Sequence, residues 1–87
     1  MIEQIKSSIL EVLPNATVYV ADPHNDGEHF EAIVIDEQFN SLSLVKQHQL
    51  VMNALKEKFA TTVHALALKT FTPEKWNKQK DNYKGVK

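Results

Sequence analysis

Thr62-Val63-His64-Ala65-Leu66-Ala67-Leu68-Lys69-Thr70-Phe71-Thr72-Pro73-Glu74-Lys75-Trp76 is the stretch that decides the fold. Its first half is rich in apolar residues, contains no glycine or proline, and is short enough for a strand. Its second half opens a helix. Thr72 has the hydroxyl of an N-cap, Pro73 suits the first helical position because the N–H it lacks has no partner there, and Glu74 meets the positive end of the helix dipole. A strand, Val63 to Phe71, therefore hands over to a short helix running from Pro73 to Gln79. Alternation puts Leu66 and Leu68 on the face of His64 and Ala65, Ala67 and Lys69 on the other, so the leucines are expected beneath helices. Trp76 reads as an aromatic anchor that closes the last helix over the sheet.

Upstream, Ile2, Ile5, Ile9 and Val12 with Leu13 fall on one helical face, so residues 2–13 read as an amphipathic helix ended by Pro14 and Asn15. Ala16 to Ala21 alternates Val18 and Val20 against Thr17 and Tyr19, the pattern of a half-buried strand. Asp22-Pro23-His24-Asn25-Asp26-Gly27 is dense in turn formers and predicts a hairpin loop of about six residues. From His29 to Ile35 a second strand follows, with Phe30, Ala32 and Val34 toward the core and His29, Glu31 and Ile33 on the other face. Ser41 or Ser43 then caps a helix whose buried stripe is expected to be Leu44, His48, Val51, Leu55 and Phe59, with Met52 beside them. A turn around Leu42 to Lys46, broken from this helix, would give a helix-turn-helix outline.

These segments, in order, resemble the BolA family. The resemblance is carried by Val63-His64-Ala65-Leu66 followed by Thr72-Pro73-Glu74-Lys75-Trp76, by Asp26-Gly27-Glu28-His29-Phe30 before an apolar strand, and by Ser43 to Val51. It covers residues 2–78 and is closer to the branch with a short loop between the first two strands. It implies an α+β type II KH-like fold of order αββααβα, with a three-stranded mixed sheet and helices on one face. One domain is expected over residues 1–80, with a polar tail from 81 to 87.

Composition narrows function independently. Eighty-seven residues, 43% hydrophobic and 24% charged, make one ordinary globular domain without room for a cleft between two domains. The chain has no cysteine, so neither a disulfide nor a thiolate metal site can come from it alone. No segment reads as a leader or a membrane span, and a cytoplasmic protein is expected. Charge is divided: residues 1–41 carry eight acids and only Lys6, whereas residues 42–87 carry nine lysines and three acids. Lys46, Lys56, Lys58, Lys69, Lys75 and Lys78 are the candidates for nucleic-acid binding through counterion release. All cations are lysine, so the arginine fork that reads guanine is missing. Gly27 and Gly85 are the only glycines, which rules out the Gly-x-x-Gly clamp of KH domains. No activated nucleophile, paired carboxylates or phosphate-cradling loop can be assembled, so catalysis is not expected.

The histidines remain. By spacing, His64 is a strand-end residue whose ring hydrogen-bonds a neighbouring carbonyl, but the family resemblance makes it a ligand to a two-iron, two-sulfur cluster shared with a monothiol glutaredoxin and its glutathione. Imidazole ligation of such a cluster has precedent in Rieske centres. The resemblance draws a second ligand from the loop between the first two strands, where some members place a cysteine; here that position is Glu28. His24 and His29 are then the nitrogen donors available, with Glu28 as a weaker oxygen donor. Residue by residue, His24 reads equally as a solvated turn residue and His29 as a cross-strand partner. His48, on an expected core face, reads as a satisfied buried ring. The expected function is an accessory role in iron–sulfur cluster assembly or trafficking, or in iron regulation. The alternative is a DNA-binding transcriptional regulator, and self-association as a homodimer stays open.

Overall fold

Two β-branched runs and a leucine-bearing strand build a sheet in the order β1-β2-β3. The computed structural model describes residues 2–27, 29–58 and 66–83, the side chains of 57 and 58 excepted. Along the chain come α1 (Ile2–Val12), β1 (Thr17–Ala21), β2 (Phe30–Ile35), a 3-10 turn (Glu37–Ser41), α2 (Leu44–Lys58), β3 (Leu66–Phe71), α3 (Pro73–Gln79) and a second 3-10 turn (Lys80–Tyr83). The hairpin makes β1 and β2 antiparallel, pairing Tyr19 with Ile33. β3 joins β2 in parallel, pairing Phe30 with Leu66 and Ile35 with Phe71. A parallel neighbour needs a long crossover, and α2 supplies it. The expected α+β fold and mixed sheet are what the chain adopts.

The core lies between the sheet and the two long helices. Ile5, Ile9 and Leu13 from the first helical segment meet Val18, Val20, Phe30, Ala32 and Val34 from the sheet and Val51 and Leu55 from α2, with Leu66 and Leu68 packed against them. The alternation read from β1, β2 and β3 is therefore correct. Val12 is not on the buried face. It ends α1 with 42% exposure, while Ile5, Ile9 and Leu13 form the stripe that is fully covered.

Helices on one face describes α1 and α2 but not α3. Trp76 stacks on Tyr19 at 5.8 Å and on Phe71 at 5.4 Å. Tyr19 alternates with Val18 and Val20, so the short helix lies on the sheet face away from the core. Ile33 and Ile35, on that second face, are buried as a result. Thr72 caps α3 as expected, its Oγ1 accepting the Lys75 N–H at 3.3 Å. Order continues past the expected domain end: Tyr83 packs edge-on against Phe71 at 5.7 Å and beside Trp76 at 5.7 Å, so residues 81–83 are a helical turn rather than tail.

The helix-turn-helix outline breaks elsewhere than expected. The separate turn is Glu37–Ser41, capped by Asp36, and Leu42 and Ser43 divide it from α2, whose Gln47 N–H bonds the Ser43 carbonyl at 2.9 Å. On α2 the buried polar residue is Gln47 and not His48. Leu44 and Val45 stand 61% and 65% exposed, whereas Gln47, Val51, Ala54 and Leu55 form the covered stripe. The helix is rotated from the expected face because Gln47 finds partners inside. Its Nε2 donates to the carbonyls of Phe39 and Leu42, and its Oε1 accepts from Thr70.

Candidate functional site

The hairpin loop brings two of the three candidate histidines together. Asp22 organises it, one carboxylate oxygen accepting the Gly27 N–H at 2.9 Å and the other the Asp26 N–H at 3.3 Å. Left-handed backbone at Asn25 (φ 52°) and Gly27 (φ 69°) completes the turn, residues that tolerate this region best. The connection spans residues 22–29, longer than predicted, because β2 begins at Phe30.

Asp26 is the reason His29 leaves the strand. Its Oδ1 accepts the His29 backbone N–H at 3.1 Å, and its Oδ2 meets the His29 Nδ1 at 2.8 Å. His29 is thus held into the loop and is not a cross-strand partner. Its ring stands edge-on to that of His24, with centroids 5.3 Å apart and planes at 88°. A carboxylate on Nδ1 selects the tautomer in which Nδ1 carries the proton and Nε2 the lone pair, the arrangement by which outer-shell carboxylates orient ligating histidines. The spacing Asp-Gly-Glu-His was the available sign of this contact, since Asp side chains commonly take backbone donors two or three residues on.

His64 and Glu28 lie outside the described residues, so their positions relative to this pair are not described. The described part of β3 begins at Leu66, two residues after His64 in sequence, and Leu66 pairs with Phe30, the neighbour of His29. Among the described residues no group of three His, Asp or Glu side chains is arranged to hold a metal. The donor set in the loop is two imidazoles, chemistry suited to completing a site whose remaining ligands come from another molecule.

The lysines are divided. Lys46 and Lys56 are exposed on α2, which covers the core face, while Lys69, Lys75 and Lys78 belong to β3 and α3 and are exposed on the side of the second face. Lys78 turns toward Glu74 at 3.6 Å on the same helix. The Lys58 side chain lies outside the described residues. No helix among the described residues is long and apolar enough to cross a membrane.

Known proteins resemble this chain along most of its length. The chain is 35% identical over 74 residues to the acid stress protein IbaG of Escherichia coli K12, covering 84% of each. It is 32% identical over 59 residues to the DNA-binding transcriptional regulator BolA of the same organism, covering 68% of this chain and 56% of that one. A solved bolA homologue from Coxiella burnetii superposes with a TM-score of 0.73 at 35% identity, covering 88% of this chain and 96% of the other. The family model for BolA-like proteins matches residues 2–75. With that match spanning the sheet, both long helices and the start of α3, the chain belongs to the BolA-like protein family.

Proposed function

We propose that this chain is a non-catalytic accessory factor in iron–sulfur cluster handling or iron regulation, acting through a cluster-bridged complex with a monothiol glutaredoxin. The observation that carries this reading is the His24–His29 pair, with the His29 tautomer set by Asp26. With no cysteine in the chain, His64 and one of these two loop imidazoles make its half of the site. A thiolate-bearing partner supplies the rest. A bound cluster would supply the iron chemistry; the chain's own part is to present and orient its imidazole donors, as Asp26 does for His29.

Co-expression with a monothiol glutaredoxin, followed by an absorption spectrum of the co-purified material, tests the proposal. A coloured heterocomplex whose spectrum changes in His64→Ala, and in one of His24→Ala or His29→Ala, supports it. An unchanged spectrum in all three variants refutes the ligand assignment, and a colourless, non-associating pair refutes the function.

The second reading, a DNA-binding regulator, is favoured by the name of the E. coli BolA relative. Lysine-only contacts with phosphates, about three to five of them, would make log affinity fall steeply with log salt and vary little with sequence. Filter binding of the chain alone across a salt series distinguishes this from the first reading. Salt-resistant, sequence-selective binding would exclude a lysine–phosphate mode.

A further inference from the structure

On the second face of the sheet, between β1, the Asp36 turn and the start of α3, lies a cleft of about 460 Å³. Tyr19 and Trp76 form an aromatic wall, their rings 5.8 Å apart and tilted by 34°. Thr17 and Ile35 lie beneath. The charged residues lining the cleft are both acidic, Asp36 and Glu37.

Asp36 is the informative member. It is only 5% exposed, and its Oδ1 accepts the Gln38 N–H at 2.8 Å to cap the 3-10 turn. Its Oδ2 is buried and has no hydrogen-bond partner among the described residues. Native structures seldom leave a buried carboxylate oxygen without a donor, and such an atom beside a cleft is poised for one brought by a ligand.

We propose that this cleft receives a guanidinium group, the side chain of an arginine from a partner protein. A guanidinium is planar, stacks on the faces of tryptophan and tyrosine, and presents a rigid fork of N–H donors matched to carboxylates. The cleft offers each counterpart: the aromatic wall, Asp36 and Glu37. An anion is disfavoured there. Two carboxylates repel it, and the Gln38 and Lys75 N–H groups already donate to Asp36 and Thr72. This chain contains no arginine, so neither its own segments nor a second copy can fill the cleft in this way. The occupant belongs to a different protein.

Trp76 is the sole tryptophan, which makes its emission a direct reporter on the cleft. The test uses the full chain alone, without glutaredoxin or cluster, so its outcome is independent of the iron–sulfur reading. N-acetylarginine methylamide is titrated at constant ionic strength, with the lysine and norleucine analogues as controls. Trp76 fluorescence and NMR shifts of its indole N–H are followed. A saturable response to the arginine compound, several-fold weaker in Asp36→Asn and in Glu37→Gln, is expected. Asparagine keeps an oxygen to cap Gln38, and Glu37→Gln carries the test should Asp36→Asn fail to fold. No saturable response, an equal response to the lysine or norleucine compound, or unchanged affinity in the folded variants would overturn the proposal.

Discussion

The Thr70 hydroxyl donates to Gln47 Oε1 at 2.6 Å across 23 residues of sequence, and both side chains are more than nine-tenths buried. With the two bonds from Gln47 Nε2 to the Phe39 and Leu42 carbonyls, this contact ties α2, the Glu37–Ser41 turn and β3 at one point. Gln47→Leu keeps the bulk but leaves the Leu42 carbonyl and the Thr70 hydroxyl to lose their partner in a dry environment. It should destabilise the fold by about 2–3 kcal/mol, and Thr70→Val by about 1–2 kcal/mol. Urea denaturation of both variants and the double variant should give a coupling of about 1 kcal/mol. Strict additivity would show that the bond contributes no coupling.

Gly27 adopts φ +69° with no atom within 4 Å of where a Cβ would stand. Gly27→Ala should therefore cost only the left-handed backbone penalty, about 1–2 kcal/mol, without a steric clash. Thermal unfolding measures the loss, and the NMR shifts of His24 and His29 should move with it, because the Gly27 N–H is one of the bonds that sets the loop. A loss no larger than that of an exposed surface substitution would contradict the strained-turn account.

Trp76 is half-buried among Tyr19, Phe71 and Tyr83. Trp76→Ala should cost about 1–3 kcal/mol, below the full cost for a buried tryptophan because part of the ring already meets water. The loss should be local. Hydrogen exchange should accelerate throughout α3 and the Lys80–Tyr83 turn while the sheet centre at Val34, on the core face, keeps its protection. Uniform acceleration across the sheet would mean that α3 is part of the global folding unit.

The loop pair sets the pH behaviour of the proposed heterocomplex. Imidazole binds metal only unprotonated, so protons compete as pH falls. The complex should lose its colour on acidification more readily than a glutaredoxin homodimer held by thiolates. Asp26→Asn removes the carboxylate that orients His29 and should weaken cluster retention by about 10- to 100-fold if His29 is a ligand. Absorbance against pH for wild type, Asp26→Asn, His24→Ala and His29→Ala separates the two histidines. Identical midpoints in all four would remove the loop from the site.

Local sequence determined the strand-to-helix handover at Thr72 and Pro73, the alternating faces of Val18 with Val20 and of Leu66 with Leu68, and the Ile5–Ile9–Leu13 stripe. Those features follow from backbone period and from capping chemistry, which act over a few residues. The rotation of α2 was not legible: periodicity offered His48 for the core, but a glutamine faces inward because Phe39, Leu42 and Thr70 present matching groups from distant elements. The same holds for α3, whose aromatic anchor was plain in Trp76 but whose choice of sheet face depended on Tyr19 and Phe71 lying on the same side of the sheet. His24 and His29 were readable as candidates one by one. Only the folded loop decided that Asp26 turns His29 out of the strand and toward His24, since that choice depends on where a carboxylate arrives in space rather than on how residues alternate along a chain.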